Sequence, residues 1–143
     1  GGKIDGYSPS IGRPICLGKM TDRQRRLIEY GRQMHLKTYE WMRAGVVAGE
    51  VARRFEEMVA TDGMKPYYLY GPCHGLGLIE VEKPWLESNS TYILEPNMTF
   101  QADTFFYDKD FGLRWENALL VKPGGAAEML SSGSHMDLIE IDC

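Results

Sequence analysis

The sequence has no long hydrophobic run and no excess of positive charge. Its apolar stretches are all far shorter than the roughly 20 residues that a helix needs to span a bilayer. Its 16 Lys and Arg residues stand against 20 Asp and Glu residues, which gives a net charge of −4. A chain with this balance is not typical of proteins that bind a nucleic-acid backbone. We therefore expect neither a membrane nor a nucleic acid as its partner.

Cysteine is also scarce. The three cysteines, Cys16, Cys73 and Cys143, are odd in number and form no C-x-x-C pair. This pattern does not fit a disulfide framework or a zinc ribbon. We therefore predict reduced thiols in a cytoplasmic protein.

The bulk composition indicates a single soluble globular unit. The chain has 143 residues, of which 43% are hydrophobic and 25% are charged, and these values are ordinary for a soluble domain. It contains no internal repeat and no low-complexity stretch. It opens without Met in "GGKIDGYSPSIGRPICLG", which reads as a strand and turn already under way, so we expect a portion of a longer domain.

Two amphipathic helices are predicted in the first half. Thr21 and Gln24 have the spacing of a capping box at the start of the first helix, and Gly45 is expected to end it. The second helix is predicted over residues 48–61, with Gly63 closing it. The apolar residues at helical spacing are Leu27, Tyr30, Met34, Trp41 and Met42 in the first helix, and Val51, Phe55, Met58 and Val59 in the second.

The second half changes to the pattern of β-strands. Before the helices, residues 4–17 carry turn-forming Gly and Pro and are predicted to form a hairpin. Two helices followed by a run of strands predict an α+β fold, in which two helices pack on a mostly antiparallel sheet. The predicted strands are "KPYYLYG", "YILEPNMTFQADTFFY", "GLRWENALLVK" and "DLIEID".

His74 is the first candidate functional residue. It lies in "GPCHGLGL", where Gly71, Gly75 and Gly77 allow close approach of the backbone and leave room for a ligand. Neutral imidazole is the commonest metal ligand and a general acid or base near pH 7. The alternative is a buried histidine with a purely structural role.

Asp103 and Glu116 are the two acidic candidates. Each lies in an apolar strand, where an acid is costly to bury unless it is paired or bound to a metal. Asp103 could instead face solvent by strand alternation, and Glu116 could pair with Arg114, two positions earlier. With His74, the two acids offer the mixture of donors that suits Mn, Zn, Co or Fe.

Aromatic residues are predicted to form the core or the wall of a pocket, since no basic patch accompanies them. The acidic segment "VEKPWLES" could supply a catalytic acid from Glu80, Glu82 or Glu87, or form a solvated loop. The substrate-binding candidates are Arg114, Trp85 and Tyr70, and the other aromatic residues considered are Tyr67, Tyr68 and Trp115.

The order of motifs resembles the pita-bread superfamily of Xaa-Pro aminopeptidases, prolidases, methionine aminopeptidases and creatinase. The similarity runs from about residue 1 to 141, through "DGYSPSIGRPICLGKMTDRQ", "RAGVVAGEV", "GPCHGLGL", "LEPNMTF" and "GLRWENALLVKPGGAAEML". It implies the C-terminal part of a curved pita-bread α+β domain. Residues 1–143 would then be one portion of a catalytic domain, without its N-terminal part or any preceding domain. The resemblance also implies a cytoplasmic protein and a homodimer.

The resemblance also implies a ligand set. Metallopeptidases of this superfamily hold two metal ions with Asp, Asp, His, Glu and Glu. His74 matches the histidine of the HGxG motif, Asp103 stands at the position of the fourth ligand, and Glu116 matches the last.

Three departures from that pattern indicate a degenerate site. The first Asp would precede Gly1, the bridging Asp falls on Ser10, and a second histidine of the proline-specific peptidases falls on Val81. A neutral hydroxyl cannot neutralise two adjacent cations. We therefore expect one divalent ion (Mn, Co, Zn or Fe) rather than two, or none.

The function implied by the resemblance is hydrolysis of an amide bond in a small peptide or small molecule, with His74 and Glu116 as the catalytic residues. One alternative is a metal-free, creatinase-like hydrolase of a C–N bond, or a lyase of the superfamily. In that alternative His74 is the acid or base, and Asp103 and Glu116 bind a cationic substrate. Another alternative is a non-catalytic binding module on the same fold.

Overall fold

The computed structural model describes residues 2–131 and 136–142 of the chain, so Cys143 lies outside the described residues. Two helices come first and are followed by strands, as predicted. In chain order the elements are β1 (Ile15–Leu17), α1 (Asp22–Trp41), α2 (Ala48–Thr61), a short 3-10 helix (Lys65–Tyr67), β2 (Tyr68–Tyr70), β3 (Cys73–Gly75), β4 (Glu82–Trp85), β5 (Thr99–Asp108), β6 (Phe111–Leu120), β7 (Glu128–Met129) and β8 (Ile139–Ile141).

The capping box at the start of α1 is confirmed. The Thr21 side chain accepts a hydrogen bond from the backbone N–H of Gln24, and the Gln24 side chain accepts one from the N–H of Thr21. The bounds of α2 also match the prediction. However, α1 ends four residues before Gly45, because the N–H of Gly45 donates to the carbonyl of Leu94, which draws the chain away from the helix axis.

Six strands form an antiparallel sheet in the order β4-β3-β5-β6-β7, with β2 also paired to β5. The ten-residue strands β5 and β6 form its longest ladder. The prediction of an α+β fold with two helices on a mostly antiparallel sheet is therefore confirmed.

The alternation along β5 and β6 divides the sheet into two faces. On one face, buried residues pack against the helices and form the core; they include Phe100, Phe106, Leu113, Trp115 and Leu119. The residues between them point to the opposite face. Those residues are Gln101, Asp103, Arg114, Glu116 and Ala118.

The predicted hairpin does not extend over residues 4–17. A tight antiparallel turn forms at its start, where Ile4 and Tyr7 exchange two backbone hydrogen bonds of 3.0 Å. Beyond it, Gly12 forms an isolated bridge with Glu116 and β1 pairs in parallel with β8. Pro9 and Pro14 lack the N–H that a continuous ladder needs, so the rest of this segment pairs with distant strands over short stretches.

The predicted strands also differ in extent. "YILEPNMTFQADTFFY" becomes a strand only from Thr99, because Glu95 accepts a hydrogen bond from the N–H of Met98 in a turn and Asn97 has a φ of +72°. Residues 65–67 form a 3-10 helix in place of a strand. The segment "VEKPWLES", predicted to supply a catalytic acid or to form a solvated loop, contains β4, which pairs with β3.

Candidate active site

Three adjacent strands bring the titratable candidates together. His74 lies on β3, Asp103 on β5 directly opposite Glu116 on β6. One ligand atom from each of these side chains lies within 4.8 Å of the others. Among the described residues, these three form the group of His, Cys, Asp or Glu side chains close enough to hold a metal ion. The side chains of Asp103 and Glu116 are 3% and 2% exposed, and that of His74 is 12% exposed. The alternative in which Asp103 faces solvent is therefore wrong.

The imidazole of His74 has one satisfied nitrogen and one unsatisfied nitrogen. Nδ1 lies 3.0 Å from the carbonyl oxygen of Gly75. Since that oxygen can only accept, Nδ1 carries a proton, so in a neutral imidazole Nε2 carries the lone pair. Nε2 is buried without a hydrogen-bond partner and lies 3.9 Å from Oδ2 of Asp103. A lone pair that faces a carboxylate in a buried site indicates a place for a proton or a cation.

The two carboxylates share one guanidinium. Arg114 donates from Nε to Oδ1 of Asp103 at 2.9 Å and from Nη2 to Oδ2 at 2.7 Å. The same Nη2 lies 3.0 Å from Oε1 of Glu116, and the hydroxyl of Ser10 donates to Oε2 at 3.0 Å. All four carboxylate oxygens therefore have a donor. The structure thus contains the Arg114–Glu116 ion pair considered from the sequence, and Arg114 also binds Asp103.

The charges of this cluster shift the protonation of its members. Burial, followed by the nearby charge of Asp103, raises the pKa of Glu116 above its ordinary value. The hydrogen bond to Asp103 raises the pKa of Arg114, which keeps the guanidinium charged. Burial, and then the charge of Asp103, raises the pKa of Tyr70 to about 12. Tyr70 therefore stays a neutral donor at physiological pH.

The donor set fits one divalent cation of borderline hardness. His74 offers a buried Nε2 without a hydrogen-bond partner, and Asp103 and Glu116 offer oxygens close to it. Ser10 next to Glu116 brings no charge for a second cation. Arg114 already binds three of the four carboxylate oxygens, so a cation at this position competes with its guanidinium.

Gly12 allows Ser10 to reach Glu116. Its backbone exchanges two hydrogen bonds with that of Glu116, with N···O distances of 3.0 and 3.1 Å. A Cβ at Gly12 would lie 2.9 Å from the Cβ of Glu116, so a side chain here would push the two segments apart. From the same segment, Arg13 donates to the carbonyl of Glu116 at 3.0 Å.

A cavity of about 230 Å³ opens beside His74 and Asp103. Tyr70 and Trp85, two of the three substrate-binding candidates, line it and are 40% and 42% exposed. The acidic Glu87 lines this cavity as well. Glu82, at the start of β4, instead accepts a hydrogen bond from the N–H of Ile79. The structure brings the third candidate, Arg114, to the carboxylates, and a substrate-binding role for all three stays a prediction.

A larger cavity, of about 600 Å³, lies on the other side of the cluster. It reaches the cluster at Ser10, whose hydroxyl binds Glu116. Its other walls are mainly apolar, with Tyr7, Ile11, Leu76 and Leu130 among them.

Sequence reasoning missed Gln101. Its Nε2 donates to the carbonyl of Ser10 at 2.7 Å, and its Oε1 is buried without a partner. It faces His74 across the β3–β5 pair. The signal was available, because Gln101 lies two positions before Asp103 and two positions along a strand share a face.

The remaining candidates lie outside the cluster. Trp115 is fully buried in the core on the helix face, where its indole N–H donates to Ile28. Tyr67 and Tyr68 pack against the same part of the core. Val81, at the position of the superfamily's second histidine, is 47% exposed.

The described cysteines are free thiols, as the prediction of reduced cysteines requires. Cys16 is partly exposed and Cys73 is buried. Burial raises the pKa of Cys73 well above its ordinary value, so this thiol is not a reactive thiolate. Neither of the described long helices has the length and apolar character that crossing a membrane requires.

Comparisons with known proteins identify the family and the fold. The sequence profile of metallopeptidase family M24 matches residues 1–123. The "Probable dipeptidase PepE" of Mycobacterium tuberculosis (strain H37Rv) is 27% identical over 92 residues, which are 64% of this chain and 24% of that protein.

Solved structures share the fold. An Xaa-Pro dipeptidase from Bacillus anthracis superposes with a TM-score of 0.86 at 26% identity, over 95% of this chain and 38% of that one. A dipeptidase from Pyrococcus horikoshii OT3 gives a TM-score of 0.85 at 28% identity with the same coverage. The chain thus spans about a quarter of the curated relative and 38% of each of these structures. The activity of a whole protein does not follow from such partial coverage alone.

Proposed function

Since the chain belongs to metallopeptidase family M24, we propose that it carries the catalytic site of a hydrolase that cleaves an amide bond in a small peptide or small molecule. Its relatives named as dipeptidases and an Xaa-Pro dipeptidase support this class of substrate. The proposal extends to residues 1–143 as one portion of the catalytic domain. A cytoplasmic location and a homodimer stay predictions.

The observation that carries the proposal is the unsatisfied Nε2 of His74. It is buried without a hydrogen-bond partner and lies 3.9 Å from Oδ2 of Asp103, in a group whose ligand atoms lie within 4.8 Å of one another. We propose that His74, Asp103 and Glu116 hold one divalent ion, Mn, Co, Zn or Fe, whose Lewis acidity would polarise the carbonyl of the scissile bond. The site would be degenerate, because neutral Ser10 stands beside Glu116 where a second ion needs a carboxylate.

The protein's own groups would position the reaction. The hydrogen bond to Gly75 holds the imidazole of His74 with Nε2 toward the carboxylates. Glu116, oriented by the hydroxyl of Ser10, is the candidate to pass a proton to the leaving nitrogen. Tyr70 and Trp85 would hold the substrate against the cluster and exclude water from one side.

The test is turnover and metal content of the complete protein, purified without chelator. We expect close to one equivalent of transition metal and hydrolysis within a panel of dipeptides that includes Xaa-Pro sequences. His74→Ala should lose both the bound metal and turnover and keep its fold, because His74 is not among the residues of the core clusters. The matched control is Leu78→Ala, an exposed residue in the loop after His74, which should change neither. A metal content below about 0.1 equivalent would contradict the metal site.

A metal-free hydrolase of a C–N bond is the second candidate. The observation that favours it is that Arg114 and Ser10 already satisfy all four oxygens of Asp103 and Glu116. His74 would then act as acid or base without a metal, and a cationic substrate would bind the carboxylates in place of the Arg114 guanidinium.

Chelation separates the two candidates. Turnover that survives dialysis against a chelator and still depends on His74 would favour the metal-free enzyme. Turnover by neither route, together with partner binding that survives His74→Ala, would favour a non-catalytic binding module.

A further inference from the structure

We propose that Arg114 is a displaceable internal counter-ion: its guanidinium occupies the cation position between Asp103 and Glu116, and a divalent ion binds only when Arg114 swings out. The proposal rests on the metal site of the proposed function. It adds a competition that sets how tightly the cluster binds metal.

The first step concerns charge. Asp103 and Glu116 are almost fully buried, and two buried anions without a counter-charge would be strongly unfavourable. Arg114 supplies that charge through a planar fork, with two parallel hydrogen bonds to Asp103 and a third to Glu116. The cluster is therefore stable without a metal, because the chain provides its own cation.

The second step concerns space. The guanidinium already binds three of the four carboxylate oxygens that a cation could use, namely both oxygens of Asp103 and Oε1 of Glu116. Two positive charges at the same oxygens repel each other at short range. His74 Nε2 is the ligand atom of the cluster that no donor satisfies. A divalent ion bound to these carboxylates would therefore lie close to the guanidinium, and the two cations compete for the same oxygens.

The third step is a route out for the side chain. Arg114 is 38% exposed, in contrast with the carboxylates that it binds. An open hollow of about 390 Å³ lies beside it, with Phe105, Gly112 and Ile15 among its walls. Gly112 has no side chain to fill this space. Arg114 can therefore leave without repacking the core, at the cost of its hydrogen bonds.

The consequence is a site whose metal affinity is lower than its donors alone would give. Removing the guanidinium should raise that affinity, although it also leaves the carboxylates unpaired in the metal-free protein. A residue that merely supports the metal site would have the opposite effect, because its loss would weaken binding.

The experiment is calorimetric titration of Mn²⁺ into the metal-depleted complete protein, as wild type, Arg114→Lys and Arg114→Gln. We expect Arg114→Gln to bind Mn²⁺ roughly tenfold more tightly or better, since a competing charge-assisted contact is gone. Arg114→Lys should fall between the two, because lysine keeps the charge and loses the bidentate fork. Absorption spectra of the Co²⁺ form would report whether the three ligands bind in each variant.

The matched control is Arg25→Gln, which removes one positive charge from an exposed ion pair with Glu140. It should leave Mn²⁺ affinity unchanged, so a gain seen there as well would reflect net charge and overturn the proposal. If Arg114→Gln folds poorly, the rise in melting temperature on adding Mn²⁺ supplies the same comparison for Arg114→Lys.

The outcomes also separate this proposal from the metal site itself. Tight binding by the wild type that is unchanged or weakened in Arg114→Gln would overturn the counter-ion and leave the metal site standing. Dissociation constants above about 1 mM in all forms would overturn both. Binding that is measurable only in Arg114→Gln would support the competition in its strongest form.

Discussion

At the scale of single residues, this site is defined by how each polar atom is satisfied. Arg114 and Ser10 together bind all four oxygens of Asp103 and Glu116, while Nε2 of His74 has no partner. The cost of an unpaired buried polar atom is high. The unsatisfied imidazole nitrogen is therefore the atom where a ligand gains most by binding.

His35 is a second buried histidine, and it has the opposite character. Both of its ring nitrogens have partners on the helix face of the sheet, Thr104 and Asn117. Burial lowers its pKa from 6.5 to about 3. Tyr39 packs edge-on against the ring, and Arg13 is the charged group that affects it. This histidine therefore stays neutral and structural.

The depressed pKa of His35 predicts a loss of stability in acid. Between about pH 6.5 and pH 3 the unfolded chain protonates His35 and the folded protein does not. The free energy of unfolding should therefore decrease as the pH is lowered through this range, by up to about 1.4 kcal/mol per pH unit. His35→Gln keeps a neutral polar group and should flatten this slope in urea unfolding at pH 7 and pH 5. Equal slopes in both proteins would show that other groups dominate.

At the scale of elements, the site depends on the contact between the sheet and the irregular segment before β1. The β5–β6 ladder fixes Asp103 opposite Glu116, and β3 adds His74. The segment before β1 joins them through the bridge of Gly12 with Glu116 and through hydrogen bonds of Ser10 and Arg13. That bridge places the hydroxyl of Ser10 on the carboxylate.

Gly12→Ala should therefore damage the site and the fold together. A methyl group 2.9 Å from the Cβ of Glu116 must separate the two backbones and break their hydrogen bonds. We expect a loss of about 1–3 kcal/mol in the free energy of unfolding and a fall in turnover. Gly124→Ala is the control, since an added Cβ there contacts nothing within 4 Å. Equal effects of the two changes would contradict the role of the bridge.

At the scale of the whole molecule, the sheet separates stability from chemistry. Its helix face carries the fully buried residues that pack on α1 and α2, and its other face carries the polar cluster and two cavities. Two of the three tryptophans, Trp115 and Trp85, illustrate the division. Trp115 is completely buried on the helix face, whereas Trp85 is 42% exposed in the cavity wall.

Substituting each tryptophan by phenylalanine should separate the two properties. Trp115→Phe removes the indole N–H that binds the carbonyl of Ile28 and leaves a small void, so we expect a loss of about 2 kcal/mol in the free energy of unfolding. Trp85→Phe should leave stability nearly unchanged and raise KM for the substrate. Urea unfolding and steady-state kinetics on both variants measure this. A Trp85→Phe protein that is as unstable as Trp115→Phe would refute the division.

Local patterns in the sequence determined the elements and the chemical types of the site. The capping box at Thr21, the limits of α2 and the strands around Asp103 and Glu116 follow from contacts between near neighbours in the chain. The pairing of residues 12–17 does not, because Gly12 pairs with Glu116 and β1 pairs with β8, both more than 100 positions away in the chain.

The sequence by itself therefore determined which residue types could meet: an imidazole, two carboxylates and an arginine on strands of one sheet. Only the tertiary structure decided how they meet. The register of β5 and β6 placed Asp103 opposite Glu116, and the side-chain geometry lets the guanidinium of Arg114 bind both carboxylates. The physical reason is that electrostatic pairing depends on distances of a few ångströms between strands, and these distances are set by long-range packing that no local pattern encodes.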